Sequence, residues 1–367
     1  MVATNGFDLF KGKKILITGD TGFKGSWLVI WLLELGAEVY GYSLPALHKD
    51  DNYIRCNLSG KINHLDGDVR DYSAMVEYFK SVQPEIAIHM AAQALVIPSY
   101  TDPVTTFETN VMGTVNFFEA VKLTPSIKVA INVTSDKCYD NKESIWGYKE
   151  IDPMGGKDPY SASKGCSELI TSSYMSSFFQ DTATNIASVR AGNVIGGGDW
   201  AENRIIPDFY RAIKSKSELI IRNPYSTRPW QFVLEPIRGY LTLIVALFND
   251  YGKNKKFQSG WNFGPSDENN VSVEELIKNI INSNGGHGKF SILSRAEAAQ
   301  LKKEATLLKL DISKAREFLN WKPALNLQQT VSFIADGYKT DLEIADDESF
   351  YQSRLKQVQA YTQLINR

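Results

Sequence analysis

A chain of 367 residues, 43% hydrophobic and 22% charged, carries enough apolar surface for one large or two ordinary domains and is neither a disordered nor a peptide-sized chain. Forty Lys plus Arg against 42 Asp plus Glu leave a net charge of -2, without the basic excess of a nucleic-acid binder. Cys56, Cys138 and Cys166 form no Cys-x-x-Cys pair and no cluster with the histidines, which excludes a disulfide framework and a zinc site and fits a reducing cytoplasm.

The segment 1–14 has no apolar core, and the longest apolar run, 27–33, is far short of the roughly 20 residues of a bilayer span, so neither secretion nor membrane insertion is expected. From Lys14 onward, β-branched runs at 15–18, 37–43, 65–69, 85–92, 128–135 and 185–194 alternate with helix-length segments at 26–35, 73–82, 103–121 and 161–179. That alternation builds βαβ units and predicts a doubly wound parallel α/β sheet. Past Asn193 the string Gly196-Gly197-Gly198-Asp199-Trp200, a helix near 207–214 and a loop at 223–230 predict a smaller, mixed α/β lobe. An apolar helix at 234–248 is expected to return to the sheet. The segments 273–282 and 313–319 continue the lobe, 284–288 reads as a loop, and 346–367 as a polar terminal helix of unknown role.

The first strand runs into Thr18-Gly19-Asp20-Thr21-Gly22-Phe23-Lys24-Gly25-Ser26, with glycines three apart at the start of the first helix. Glycine there permits a tight turn and lets backbone N–H groups approach a pyrophosphate, whose charge suits the positive helix end. An ordinary glycine turn is the plain alternative, and the six-strand alternation favours a dinucleotide site on a Rossmann sheet. The division expected is a dinucleotide-binding domain over 1–190 joined by 234–265, a substrate-binding lobe over 191–233 and 266–340, and a helical tail over 341–367. The second strand ends Gly41-Tyr42-Ser43, without the acidic residue that grips the ribose of NAD, so this position leaves NAD and NADP both open. Asp68, at the end of the third strand, would face an adenine ring or else cap the next helix, a role that Asp71 fills more naturally.

Tyr160 and Lys164, four apart, share a helical face on which an ammonium can lower the phenol pKa and make tyrosinate a base near neutral pH. Tyr210/Lys214 and Tyr251/Lys255 repeat the spacing and read as solvated faces. Ser135 singles out the first pair, because it lies at the carboxyl end of a predicted parallel strand, where open α/β sheets bind ligands. Ser135-Asp136-Lys137 adds a hydroxyl, a carboxylate and an amine at that strand end, suited to a reaction that moves two protons with a hydride. The plain alternative is a strand-end turn with an ion pair. Arg190, Asn193, Arg204, Arg222, Arg228 and Trp230 offer guanidinium forks and an aromatic plane to a second nucleotide carried by the substrate, or equally surface ion pairs. His89, in an apolar strand, reads as a packed core residue.

Together, Thr18-Gly19-x-x-Gly22-x-x-Gly25, Tyr160-x-x-x-Lys164 and Ser135 resemble the extended short-chain dehydrogenase/reductase family. Within it, Thr21-Gly22-Phe23-Lys24-Gly25-Ser26-Trp27, Ala91-Ala92-Gln93, Thr109-Asn110-Val111-Met112-Gly113-Thr114, Val133-Thr134-Ser135-Asp136-Lys137-Cys138-Tyr139, Gly155 to Ser161, Arg190 to Trp200 and Arg228-Pro229-Trp230-Gln231 resemble the CDP-glucose branch of the nucleotide-sugar 4,6-dehydratases. The resemblance spans residues 8–335. It implies NAD as cofactor, held at Gly19, Thr21, Gly22, Phe23, Lys24 and Gly25, at Asp68 and Val69, at Ala91, Ala92, Gln93 and Asn110, and at Tyr160 and Lys164, with no metal. It implies CDP-glucose as substrate, against Gln93, Asn193, Arg204, Arg222, Arg228 and Trp230.

The chemistry implied is a hydro-lyase on the way to deoxysugars of surface polysaccharides. Tyr160, helped by Lys164 and Ser135, takes the 4-hydroxyl proton as C4 gives hydride to NAD. Lys137 removes the C5 proton, Asp136 assists departure of the 6-hydroxyl as water, and hydride returns to C6. The resemblance further implies a homodimer or dimer of dimers through helices of the dinucleotide domain. Lys137 separates this branch from dehydratases of dTDP-glucose, which carry an acidic residue there. Asp20 stands where the branch has histidine, which bears on cofactor affinity, and Ile97-Pro98 replaces a more basic stretch, which bears on substrate phosphate contacts. A 4-epimerase or reductase of the same fold needs no Asp136-Lys137 pair, and a non-catalytic NAD sensor needs no Ser135, Tyr160 and Lys164.

Overall fold

The computed structural model describes residues 6–46, 48–294, 297 and 307–366. Six strands stand close to where the sequence places them: β1 (Lys14–Thr18), β2 (Glu38–Ser43), β3 (Asn63–Asp66), β4 (Ile86–His89), β5 (Val129–Val133) and β6 (Asn185–Ala191). Short strands follow: β7 (Val194–Ile195), β8 (Leu219–Ile221), β9 (Thr227–Pro229), β10 (Gln231–Phe232), β11 (Gly260–Phe263), β12 (Asn270–Ser272) and β13 (Phe290–Ile292). The central sheet has the order β11-β6-β5-β4-β1-β2-β3 and is parallel throughout, winding outward from β1 in both directions. β4 and β5 are buried along their whole length, which explains their unbroken apolar runs rather than an alternating pattern.

Three strand ends differ from expectation. β4 stops at His89: Met90 N still donates to the Thr18 carbonyl at 2.9 Å, but Ala91 N leaves the ladder and donates to Thr18 Oγ1 at 3.3 Å. β3 lies two residues early, since Gly67 must pass flat against the Tyr42 ring, where any Cβ would collide. The run expected over 185–194 breaks after Ala191, and its last residue starts β7, which pairs with β10.

The helices are α1 (Phe23–Glu34), α2 (Asn52–Arg55), α3 (Tyr72–Val82), α4 (Val96–Thr101), α5 (Pro103–Phe107), α6 (Gly113–Lys122), α7 (Pro159–Ser177), α8 (Ile205–Lys214), α9 (Leu234–Asn249), α10 (Val273–Ser283), α11 (Ser313–Leu319), α12 (Leu327–Glu343) and α13 (Asp347–Ile365). The single helix expected over 103–121 is split by a π-helical turn, Glu108–Met112, between α5 and α6. Asp71 caps α3, accepting from Ala74 N at 3.0 Å. α12, beyond the helices expected from the sequence, opens on a capping box formed by Asn326 and Gln329.

One sheet face carries α1 and α9, whose apolar side chains join the largest core, and the other carries α3, α6 and α7 around Phe79, Phe117 and Phe118. α8, α10 and α12 close a separate core around Phe209, Tyr210, Leu276 and Tyr338, beside the carboxyl ends of the strands. The polar terminal helix α13 has a buried stripe, Phe350, Val358 and Tyr361, seated against α1 and α2. Each of these burials stabilises by about 1.5–3 kcal/mol. Arg354, also fully buried, bonds Asp341, the Gly337 carbonyl and Asn52 Oδ1.

Candidate active site

The strand order reverses between β1 and β4, and the residues singled out by sequence gather at the carboxyl ends there. Gly19 has φ 79° and lies so close to the Ala91 backbone that a Cβ would sit 2.5 Å from its nitrogen. Gly22 takes the N-cap position of α1 and donates to the Gly19 carbonyl at 3.2 Å. A Cβ on Gly25 would overlap that same carbonyl oxygen. No side chain caps α1 and its first turn has no acidic residue, so its N–H groups stay available to an anion. This cradle fits the pyrophosphate of a dinucleotide.

Thr21, in the turn itself, ties the cradle to the end of β2, donating to the Leu44 carbonyl at 2.9 Å beside Ser43 Oγ at 3.0 Å. Asp20 turns away from the crevice, and its buried carboxylate accepts from Ser43 Oγ and meets His64 Nδ1 at 2.7 Å. Phe23 and Lys24, both half-buried, follow at the start of α1. Lys24 Nζ donates to Tyr240 OH on α9 at 3.2 Å, and its pKa is pulled down to about 7 by burial and by the nearby Lys164 and Arg204 cations, against the pull of Asp136.

α7 begins at the Asp158 cap and Pro159 and delivers Tyr160 and Lys164 from its first turns, both buried. Across from them, β5 ends in the tight turn Asp136–Cys138, capped by Ser135, whose oxygen accepts from Lys137 N at 3.2 Å. Ser135 Oγ donates to Asp136 Oδ1 at 3.0 Å and favours the ionised form of the Tyr160 phenol. Burial pushes the Asp136 carboxyl upward against the opposing pull of Lys137, Ser135 and Arg228, so the group retains a proton more readily than a free carboxyl. The expectation that Lys164 lowers the Tyr160 pKa is corrected for the free protein: burial raises the phenol to about 12, with Ser135 and Arg204 working against it. Burial also lowers Lys164 to about 8.

The sequence reading missed the buried partners beneath this turn. Glu168, one helical turn past Lys164, accepts from Thr134 Oγ1, from Ser188 Oγ at 2.6 Å and from Arg190 Nη2 at 2.7 Å. Arg190 is therefore a buried ion-pair residue behind the sheet and not a fork for a substrate phosphate. An acid four residues beyond a catalytic-looking lysine was the signal available.

Of the second-lobe residues, Arg204 reaches the crevice, pairing with Asp199 at 2.9 Å and acting electrostatically on Tyr160 and Lys24. Arg228 acts on Asp136, and Asn193 is half-buried beside β7. Arg222 is exposed and donates to Asn203 Oδ1 at 3.3 Å. Trp230 offers no open aromatic plane: it is 3% exposed, and its indole donates to the Val271 carbonyl within the lobe core. Tyr210 likewise is a core residue stacked on Tyr338, and Lys255 donates to the Thr184 carbonyl, so neither repeat of the Tyr–Lys spacing is the solvated face expected.

The loop after β4 carries half-buried Ala91, Ala92 and Gln93. Gln93 spends its amide on Leu95 and Thr106, and Asn110, in the π turn, is tied to the Gln93 backbone and to Ser163 Oγ. Both hold the loop against α7 rather than extend free side chains. Asp68 is ion-paired with Arg70 at 2.6 Å and Val69 is buried over Gly113. His89 packs on Phe117 and meets Thr18 Oγ1 at 2.7 Å, a core residue as the sequence indicates. Ile97 is exposed on α4. Among the described residues, no three side chains gather to hold a metal ion and no helix is long and apolar enough to cross a membrane.

A parallel doubly wound sheet with Ser135, Tyr160 and Lys164 at its switch point defines a short-chain dehydrogenase/reductase of the extended type. The family model described as GDP-mannose 4,6 dehydratase matches residues 16–334, and the chain belongs to that family. It is 45% identical over 337 residues to the CDP-glucose 4,6-dehydratase of Salmonella typhimurium, covering 90% of this chain and 92% of that protein. Its fold is similar to the UDP-glucose 4-epimerase of Thermotoga maritima with UDP-glucose, at TM-score 0.73 and 22% identity over 90% of this chain and 100% of the other. A dTDP-glucose 4,6-dehydratase from Bacillus anthracis in complex with NAD is similar too, at TM-score 0.73 and 19% identity over 89% of this chain and 97% of the other.

Proposed function

We propose that this protein is an NAD-dependent hydro-lyase that converts CDP-glucose to CDP-4-keto-6-deoxyglucose and water. The observation that carries the reading is the Ser135-Asp136-Lys137 turn, set against Tyr160 and Lys164 with its carboxyl biased toward the protonated form. The 45% identity to a CDP-glucose 4,6-dehydratase supports the same substrate. Gly19, Gly22 and the α1 N-terminus would hold NAD, which would supply the hydride acceptor for C4 and the donor for C6. In the loaded site Tyr160 would act as tyrosinate, its phenol brought down from the free protein's value by the Ser135, Arg204 and Lys164 side chains and by the cationic cofactor, and would take the 4-hydroxyl proton. Lys137 removes the C5 proton that a 4-ketone acidifies. Asp136, whose burial biases its carboxyl toward the protonated form, delivers a proton to the departing 6-hydroxyl, and Lys137 returns its proton to C5 as hydride reaches C6, so the overall conversion is redox-neutral and releases one water.

Arg204 and Arg228 are the cations placed to receive the nucleotide diphosphate. Segments 1–190 and 234–265 make the dinucleotide half, and 191–233 with 266–340 the sugar-nucleotide half. Exposed Val104, Phe107, Met112 and Leu169 on α5, the π turn and α7 support a homodimer through that face. Three unpaired cysteines fit a cytoplasmic setting. The test of the roles is a single turnover with CDP-glucose. Asp136→Asn and Lys137→Met are expected to form reduced nicotinamide, read by its absorbance, yet release no dehydrated sugar. Water loss at the wild-type rate in either variant would refute its assigned role.

A further inference from the structure

The acid inside the glycine turn is neutralised from an unexpected direction. Asp20 follows Gly19 directly, its side chain is fully buried, and it lies under the turn that receives the pyrophosphate. Its Oδ2 meets His64 Nδ1 at 2.7 Å, while His64 Nε2 meets Asp66 Oδ1 at 3.1 Å. A neutral imidazole has one N–H and an imidazolium has two. With a carboxylate oxygen on each ring nitrogen, only the imidazolium donates to both. Any neutral tautomer turns a lone pair toward one of the acids.

We infer that His64, as an imidazolium, is a positioning residue for the dinucleotide site: its charge cancels the Asp20 carboxylate beneath the pyrophosphate cradle, and loss of its proton weakens NAD binding. The inference rests on the NAD-dependent reading above. The surroundings are consistent with it. Burial opposes the charged ring, and Asp20 and Asp66 together overcome that opposition and raise the His64 pKa above its ordinary value. From the other elements packed around it, Tyr53 on α2 lies with its ring 5.3 Å away, and Lys14, Tyr40 and Tyr78 line the same hollow. Of these, Lys14 is the one other cation, and the Asp20 bonds in the structure go to Ser43 and His64. If the imidazolium is neutralised, a buried anion stands directly behind the site of another anion, with the Ser43 hydroxyl still donating to it but no cation bonded to it.

The experiment is the NAD dissociation constant by calorimetry, with no sugar present, across about pH 6 to 9. It uses wild type, His64→Gln and the Asp20→Asn/His64→Gln double variant. Lys24 and Lys164 titrate in the same crevice, and they are common to all three proteins, so the comparison isolates His64. The expected result is NAD binding weakened about tenfold in His64→Gln at neutral pH and restored to within about threefold in the double variant, where no buried anion remains. Wild type should lose affinity relative to the double variant as pH rises. Parallel profiles, or a single variant that binds as wild type does, would overturn the inference and leave the NAD reading intact. Absence of NAD binding by wild type would overturn both. Should His64→Gln fail to fold, wild type against the double variant still decides through the pH profiles.

Discussion

Lys24 shows how much of the site's chemistry depends on burial that spacing cannot reveal. The glycine motif places it at the start of α1, but the structure adds Tyr240 from α9, 216 residues later, and the neighbouring cations Lys164 and Arg204. With its pKa near 7, most of the free protein carries a neutral Lys24 at pH 8. An anionic diphosphate in the crevice favours the ammonium and draws a proton in. Nucleotide binding at pH 8 is therefore expected to take up roughly one proton per site, read from calorimetric heats in buffers of different ionisation enthalpy. Lys24→Met should remove most of that uptake, leaving the smaller share of Lys164, and an unchanged uptake would assign it to another group. Ser135, Tyr160 and Lys164 were legible because spacing and strand ends suffice to find them. Glu168, His64 and the burial of Trp230 were not, because each depends on which elements meet across the sheet.

Helices and strands were legible where their periodicity is continuous and their caps are local, as in α3 with Asp71. The breaks were not. The π turn at Glu108–Met112 reads as uninterrupted helix in sequence, yet it turns Asn110 inward to hold the Gln93 backbone and Ser163. The glycine turn behaves likewise as an element. Gly25 packs against the Gly19 carbonyl with no room for a methyl group, so Gly25→Ala must push α1 away from β1. That overpacking should cost about 1–3 kcal/mol in chemical denaturation and reduce NAD affinity more than affinity for free CDP. Equal losses for both ligands would mean general unfolding rather than a displaced cradle.

For the whole molecule, the tail is the part that sequence left without a role and the structure explains. α13 lays Phe350, Val358 and Tyr361 on α1, and Arg354 joins Asp341, Asn52 and the Gly337 carbonyl in a site with no exposure. Asp341 also accepts from Gly198 N at 2.8 Å, next to the Asp199 that holds Arg204. The tail thus braces the loop that carries a crevice arginine. Arg354→Leu leaves the buried Asp341 unpaired and should destabilise by about 3–5 kcal/mol, whereas Arg354→Leu/Asp341→Leu should recover much of that loss. Denaturant unfolding of the two variants distinguishes pairing from simple packing, since a double variant as unstable as the single one would assign the effect to packing.

The reaction itself can be read directly from the mass of the nucleotide sugar. Purified protein with NAD is given CDP-glucose, and in parallel dTDP-, UDP- and GDP-linked sugars, and each nucleotide sugar is followed by mass spectrometry. Loss of one water from CDP-glucose, with no net reduction of NAD, is the predicted result. CDP-glucose that binds and keeps its mass, or water lost only from a sugar on another nucleotide, would contradict the account.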